Sequence, residues 1–219
     1  MIPTPDLSHL KPADYDVVYE PAEDTFILLD ALEQDADALK QRCPRICLEI
    51  GSGSGCVSAF LGSFLGPSEA LYLCTDINSH ACACSRATGD QNKIPLNLVN
   101  TSLAYPFLAR LQNAVDIIVF NPPYVPTITD EAITAQHDRG IGGAWAGGED
   151  GMEVTNIFLS RVAGLLSPGG RFYLVAVPRN NISAIQKRLR DEGQLNSEIV
   201  LHRRAGREHL SVVRFEKAL

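Results

Sequence analysis

Short apolar runs alternate along this chain with longer stretches whose apolar residues are more widely spaced. The runs are Ile46–Ile50, Leu71–Thr75, Leu96–Val99, Val115–Phe120, Phe172–Val177, Ser197–His202 and Ser211–Glu216. Between them, Val57–Leu65, His80–Asn92, Val154–Leu166 and Ser183–Glu192 carry helical spacing. A further helix is expected over Ala22–Leu39, with Phe26, Leu29, Leu32 and Leu39 close to one face. Pro21 ahead of it, and Glu23 and Asp24 in its first turn, suit a helix start. Strand–helix alternation implies parallel strands joined by right-handed crossovers, hence a doubly wound α/β sheet. The last two runs have no helix between them. His202–Glu208 reads as a short polar loop containing Gly206, so these two strands are expected to form an antiparallel hairpin.

No internal repeat, low-complexity stretch or linker divides the chain. Its 219 residues suit one domain spanning 1–219, with an N-terminal extension and helix over 1–40 and a core over 41–219. Hydrophobic residues at 45% and charged residues at 21% are ordinary globular values and exclude disorder or coiled coil as the main organisation. The apolar runs fall far short of the ~20 residues of a membrane span. The N-terminus lacks the apolar centre of a signal peptide, so an intracellular location is expected.

Charge narrows the partners. A formal charge of −7 lacks the phosphate-neutralising footprint of a nucleic-acid binder, so nucleic acid is disfavoured as the main substrate. The local basic run His202, Arg203, Arg204 and Arg207 reads as a solvated loop. The six cysteines include no CxxC pair, and no metal site is expected. They read as reduced thiols, with Cys47 and Cys74 as small core residues.

The first strand runs into Glu49-Ile50-Gly51-Ser52-Gly53-Ser54-Gly55. Glycines allow a sharp turn and a close approach to a ligand, and the following helix offers free N–H groups. A dinucleotide fingerprint would place its third glycine where Cys56 stands, so the spacing is GxGxG instead. A plain tight turn is the alternative for this loop. Asp76 closes the second strand about 20 residues beyond Gly55, where a carboxylate can accept both hydroxyls of a ribose. Its alternative is a helix N-cap.

The fourth strand runs straight into Asn121-Pro122-Pro123-Tyr124 at the carboxyl edge of the sheet, where open α/β folds bind ligands. The prolines stiffen the turn and remove backbone donors. The Asn121 side chain and the Pro122 carbonyl can then aim two acceptors at one NH2 group, and Tyr124 can stack on a flat amide or base.

These motifs together resemble the S-adenosylmethionine-dependent methyltransferases that modify amino-type nitrogen. Two further segments, Tyr19-Glu20-Pro21-Ala22-Glu23-Asp24-Thr25 and Ala144-Trp145-Ala146-Gly147-Gly148-Glu149-Asp150-Gly151, are similar to those of the HemK-type protein-glutamine methyltransferases, in their short eukaryotic and archaeal branch. The resemblance covers nearly the whole chain. It implies a Rossmann-like seven-stranded sheet of order 3-2-1-4-5-7-6, strand 7 antiparallel. It implies S-adenosyl-L-methionine as cofactor, S-adenosyl-L-homocysteine as product, and the glutamine of the Gly-Gly-Gln loop of the translation termination (release) factor as substrate. It also implies a heterodimer with a small zinc-binding activator protein, in the cytoplasm, with the nucleus left open.

Residue by residue, the resemblance carries cofactor binding onto Tyr19, Thr25, Glu49, Gly51, Gly53, Gly55, Asp76, Ile77, Ser102, Leu103 and Asn121. Catalysis falls on Asn121, Pro122 and Tyr124. Substrate contact falls on Asn121, Pro122, Pro123, Tyr124 and Trp145. Trp145, the only tryptophan, is expected in a mobile loop at the substrate mouth, with packing as its alternative. For Tyr19, Glu23 and Thr25 the alternative is helix capping. Ser102 stands where the family usually has an Asp for the adenine amino group; a neutral hydroxyl accepts a weaker bond, while the Leu103 N–H remains for adenine N1.

In the implied order the third strand is an edge, and Ile94–Val99 carries only apolar or neutral residues. Such an edge invites aggregation unless something covers it. The activator adding a strand is one solution, and the chain's own N-terminus is the other. Competing functions are methylation of a histone lysine or of DNA adenine, a non-catalytic cofactor-binding scaffold, and, from the glycine loop alone, a nicotinamide-dependent oxidoreductase.

Overall fold

The computed structural model describes residues 1–128, 134, 138–206 and 208–219. Part of the loop expected to set substrate choice, 127–143, lies outside the described residues, as does Arg207. Three helices open the chain: α1 (Pro12–Tyr15), α2 (Glu23–Gln34) and α3 (Ala36–Gln41). Then β1 (Ile46–Ile50), α4 (Cys56–Leu65), β2 (Leu71–Asp76), α5 (Ser79–Asn92) and β3 (Leu96–Asn100) alternate. The second half holds β4 (Val115–Phe120), α6 (Glu153–Leu165), β5 (Leu166–Ala176), α7 (Ile182–Gly193), β6 (Leu195–Ala205) and β7 (Glu208–Lys217).

The strands form a seven-stranded sheet in the order β3-β2-β1-β4-β5-β7-β6. The first five pair in parallel, and β7 runs antiparallel to both β5 and β6. This is the expected topology. Side chains alternate across the pleat of β4: Ile117 and Val119 join the core under α2, α3 and α4, whereas Ile118 and Phe120 join the core under α6 and α7. On the second face, Phe120, Phe158, Phe172 and Phe215 form a chain of ring contacts with centroids 5.3, 5.8 and 5.6 Å apart. That chain anchors the end of β4, the strand that delivers Asn121.

Three expectations change. The helix expected over 22–39 is two helices, broken at Asp35. The Asp35 carboxylate accepts bonds from Arg214 at 2.7 Å and from the Tyr173 hydroxyl at 2.5 Å, which turns the chain onto β5 and β7. Of the expected face Leu29, Leu32 and Leu39 are buried, whereas Phe26 is 37% exposed and Ile27, Leu28 and Ala31 complete the buried face. The loop expected over 202–208 is mostly strand: β6 stays paired with β7 as far as Ala205, and exposure alternates from Leu201 to Ala205.

β3 is a sheet edge. The N-terminal segment does not extend it. Asp6 bonds instead to Gln91 and Asn92 at the end of α5, His9 bonds to Thr88, and the Ile2 N–H donates to Glu33 of α2. Cys47, Cys56, Cys74 and Cys84 are buried free thiols. No helix among the described residues is long and apolar enough to cross a membrane.

Candidate active site

The carboxyl ends of β1, β2, β3 and β4 open into one cleft of about 970 Å³, its mouth included. The loop after β1 forms its floor. Gly51 (φ +70°) and Gly53 (φ +52°) are left-handed, and a Cβ on either would meet no atom within 4 Å, so their backbone borders open space. Gly55 is different. A Cβ there would sit 2.7 Å from the Ser85 Cα, so this glycine lets α4 close on α5 and does not line the cleft. The loop is tied to the end of β2, with the Gly51 and Ser52 N–H groups donating to the Thr75 carbonyl at 2.8 and 3.0 Å.

Two acidic side chains line the floor. Glu49 is 6% exposed and accepts from the Ser58 N–H at 3.0 Å and from the Ser58 hydroxyl. Burial pushes its pKa up to about 8, with the nearby Asp76 charge adding to the rise and the Ser58 bonds opposing it. Asp76 accepts from Gly53 N–H at 2.9 Å and Asn78 N–H at 2.8 Å, and burial raises its pKa against those backbone bonds. It does not cap α5. That role belongs to Asn78, whose side chain accepts from the His80 N–H at 2.9 Å. Asp76 is therefore committed to the cleft. No lysine or arginine is among the described residues that line it.

Tyr19, Thr25 and Ile77 also face the cleft, as do Ser102 and Leu103 on the β3 side. On the β4 side stand Asn121 and Pro123. Pro122, Tyr124 and Trp145 do not line it. Trp145 is 38% exposed and takes part through its backbone, its carbonyl accepting from the Val125 N–H at 3.1 Å.

The 145–151 segment is a brace for the Asn-Pro-Pro-Tyr turn. The Gly147 N–H donates to Val125 at 2.9 Å, the Thr127 N–H to Gly148 at 3.0 Å, and the Gly148 N–H to the Thr127 hydroxyl at 3.0 Å. A Cβ on Gly147 would overlap the Pro123 carbonyl and approach the Gly151 Cα to 2.7 Å; one on Gly151 would overlap the Tyr124 carbonyl. The glycines of the second signature segment thus permit backbone-to-backbone contact with the turn.

One residue of this site carries only a helix-start role in the sequence reading. Asp24, 4% exposed, collects five donors, of which the Thr25 hydroxyl at 3.5 Å is the longest. Its Oδ1 accepts from the Thr25 N–H at 2.7 Å, and its Oδ2 from Asn121 Nδ2 at 3.0 Å and from the Tyr124 hydroxyl at 3.2 Å. The Tyr19 hydroxyl lies 3.1 Å from both oxygens. A signal existed: Asp24 shares a helical face with Ile27, Leu28 and Ala31, all at most 1% exposed, and an acid on an apolar face needs partners. Asn121 in turn keeps one polar atom free. Its Oδ1 is buried and has no hydrogen-bond partner.

Among the described residues the cleft thus offers acceptors for hydroxyls, no lysine or arginine, and a buried acceptor at the end of β4. Those features fit a cationic, ribose-bearing ligand beside a substrate NH2 group.

The profile of the family described as "Methyltransferase small domain" matches residues 24–137. The mouse protein "Methyltransferase HEMK2" is 49% identical over 217 residues, 99% of this chain and 98% of that protein. The "eRF1 methyltransferase catalytic subunit mtq2" of Schizosaccharomyces pombe is 44% identical over 227 residues, 98% of this chain and 95% of that one. Among solved structures, the Mtq2-Trm112 complex of E. cuniculi, titled as responsible for methylating the eRF1 translation termination factor, is similar with a TM-score of 0.67 and 28% identity. That match covers 92% of this chain and 99% of the other.

Proposed function

The chain belongs to the methyltransferase family that includes HEMK2 and Mtq2, and from that premise we propose that it methylates the side-chain nitrogen of the glutamine in the Gly-Gly-Gln loop of the translation termination factor. The observation that carries this reading is the buried, unpartnered Oδ1 of Asn121 at the end of β4. An orphaned buried acceptor costs about 1–3 kcal/mol, so it is retained where a ligand completes it. A primary amide presents the N–H that does so.

S-adenosyl-L-methionine supplies a methyl group made electrophilic by the sulfonium charge. Asp76 offers acceptors to ribose hydroxyls, Ser102 and the Leu103 N–H serve the base, and the open backbone of Gly51 and Gly53 admits the amino-acid portion. Tyr19, Thr25 and Ile77 wall the same cleft. Asp76, with no lysine or arginine among the described residues that line the cleft, suits a cation.

An amide nitrogen is a weak nucleophile because its lone pair is delocalised, and a base gains little on so weak an acid. Positioning does the work, and near-attack geometry supplies roughly 7–11 kcal/mol. Asn121 Oδ1 accepts an amide N–H, orienting the lone pair and favouring the positive charge that grows on nitrogen. The nitrogen's proton leaves late, to water.

The edge strand β3 supports a second part of the reading. With the N-terminal segment seated on α5 and α2, this edge is left for a small zinc-binding partner, which adds a strand there and covers its apolar residues. The enzyme then works in the cytoplasm, where its substrate works.

The test is methyl transfer from labelled S-adenosylmethionine, with and without that partner. The acceptors are the termination factor, its Gln→Ala form, a histone tail and adenine-containing DNA. Label on the intact factor alone, lost at least 100-fold with Asn121→Ala while cofactor affinity stays within about threefold, is the expected result. Label on the histone tail or the DNA, or on the Gln→Ala factor, refutes the glutamine reading. Monodisperse, fully active isolated chain refutes the edge-strand partner.

A further inference from the structure

Asn121 can serve as an acceptor only if its amide is held one way up. The oxygen and the NH2 group of an amide are close in shape, and a half-turn about the last side-chain bond exchanges them. Something must decide which end faces the cleft. The prolines that follow cannot, since they stiffen the backbone and leave the side-chain torsion alone.

We propose that Asp24 is the positioning residue that sets the polarity of the Asn121 amide, a role that rests on the methyl-transfer reading above. A carboxylate only accepts, so the group it faces at 3.0 Å must be the NH2 end, and Oδ1 is turned away into its buried, unpartnered position. The carboxylate is itself fixed. Oδ1 of Asp24 is held by a main-chain donor, the Thr25 N–H at 2.7 Å, which no side-chain rotation can remove. Oδ2 is thereby aimed at Asn121 and the Tyr124 hydroxyl. None of the donors on Asp24 is a charged group, and no ion pair with another described residue competes for its oxygens.

The arrangement makes an isosteric substitution informative. In Asp24→Asn the Thr25 N–H still requires an acceptor, so the new side chain keeps its oxygen there. Its NH2 group then points at Asn121. Two NH2 groups cannot face each other, and the Asn121 amide turns over, presenting NH2 to the cleft where the substrate N–H should find an acceptor. The shape of the site is unchanged while its polarity is inverted. A second change reverses the inversion. With Asn121→Asp added, the NH2 of Asn at position 24 donates to one carboxylate oxygen of the new Asp, and the other oxygen again faces the cleft.

Four proteins are compared with the activating partner present: wild type, Asp24→Asn, Asn121→Asp and the double variant. Expected are a loss of at least 100-fold in kcat for each single variant and a recovery of at least tenfold in the double. S-adenosylhomocysteine affinity by calorimetry stays within threefold throughout, which a general structural fault would not allow. A second readout needs neither substrate nor turnover. The Asn121 side-chain amide protons, observed by 15N-resolved NMR, are protected from exchange in wild type and lose that protection in Asp24→Asn. A double variant no faster than the single ones, or Asn121 amide protons equally protected in both proteins, overturns the assignment. The NMR result holds or fails whichever molecule is methylated. An absence of methyl transfer by wild type to the termination factor counts against the functional reading alone.

Discussion

Gly151 and Gly164 receive the same methyl group in Gly→Ala, and the structure assigns the two changes opposite signs. Gly151 sits at φ +67°, in the brace behind the Asn-Pro-Pro-Tyr turn, and its new Cβ would overlap the Tyr124 carbonyl. The left-handed conformation costs alanine about 1–2 kcal/mol. Forcing an atom against backbone that is itself hydrogen-bonded adds about 1–3 kcal/mol. The sum, about 2–5 kcal/mol, is a large share of a typical stability. At about 2–4 °C per kcal/mol for a chain of this size, the melting temperature should fall by about 4–20 °C. What relief occurs must come from moving residues 122–124, and a displacement of about 1 Å there lowers turnover by roughly 100-fold. Gly164 lies inside α6 with no atom within 4 Å of the added carbon, so alanine there gains about 0.5–1 kcal/mol. Circular-dichroism melts of the two variants, and methyl transfer at saturating cofactor, check both arms. If Gly151→Ala melts with Gly164→Ala and turns over normally, the brace argument is wrong.

Further predictions follow from the cleft floor. Asp76→Ala should raise the cofactor Kd at least tenfold while kcat at saturation stays within threefold, and unchanged affinity by calorimetry would refute its hydroxyl-binding role. The buried Glu49 binds its proton more tightly folded, at about 8, than unfolded. Its stabilising contribution is therefore complete below the ordinary glutamate range and is lost as pH rises through about 8. Denaturant titrations of the empty chain between pH 5 and 8.5 should show stability falling with pH. Glu49→Gln should flatten that slope, and an unchanged slope would remove Glu49 as its source.

The sheet was legible because its strands are short apolar runs bounded by turns, and because a missing helix between β6 and β7 can only mean a hairpin. The Gly51–Asp76–Asn121 axis was legible for a related reason: ligand loops sit at the carboxyl ends of strands, and strand ends can be counted. What escaped depends on side chains meeting across long separations. Asp35 breaks a periodic helix because arginines almost the whole chain away draw its carboxylate onto β5 and β7. Asp24 reads locally as a first-turn acid, and only the approach of α2 to the end of β4 brings Asn121 and Tyr124 to it. The glycines at 142, 143, 147 and 148 read as flanks of a mobile loop around Trp145, and nothing in that reading marked which glycines of the segment, 147 and 151, have no room for a side chain. They serve close backbone contact instead, a property that composition does not distinguish from mobility.

The seat of α2 has a consequence for the order in which the enzyme becomes competent. Asp30 and Asp35, at the far end of the helix that carries Asp24, are held by Arg203 of β6 and Arg214 of β7, and Leu210 and Val212 of β7 share a core with Ile27 and Leu28. A nascent chain that has emerged as far as β5 already possesses the glycine loop, Asp76 and Asn121, yet the helix that turns Asn121 the right way up lacks part of its support. The orientation of the acceptor thus depends on the β6–β7 hairpin by way of α2, and a change that loosens Arg203 or Arg214 reaches Asn121 through Asp24.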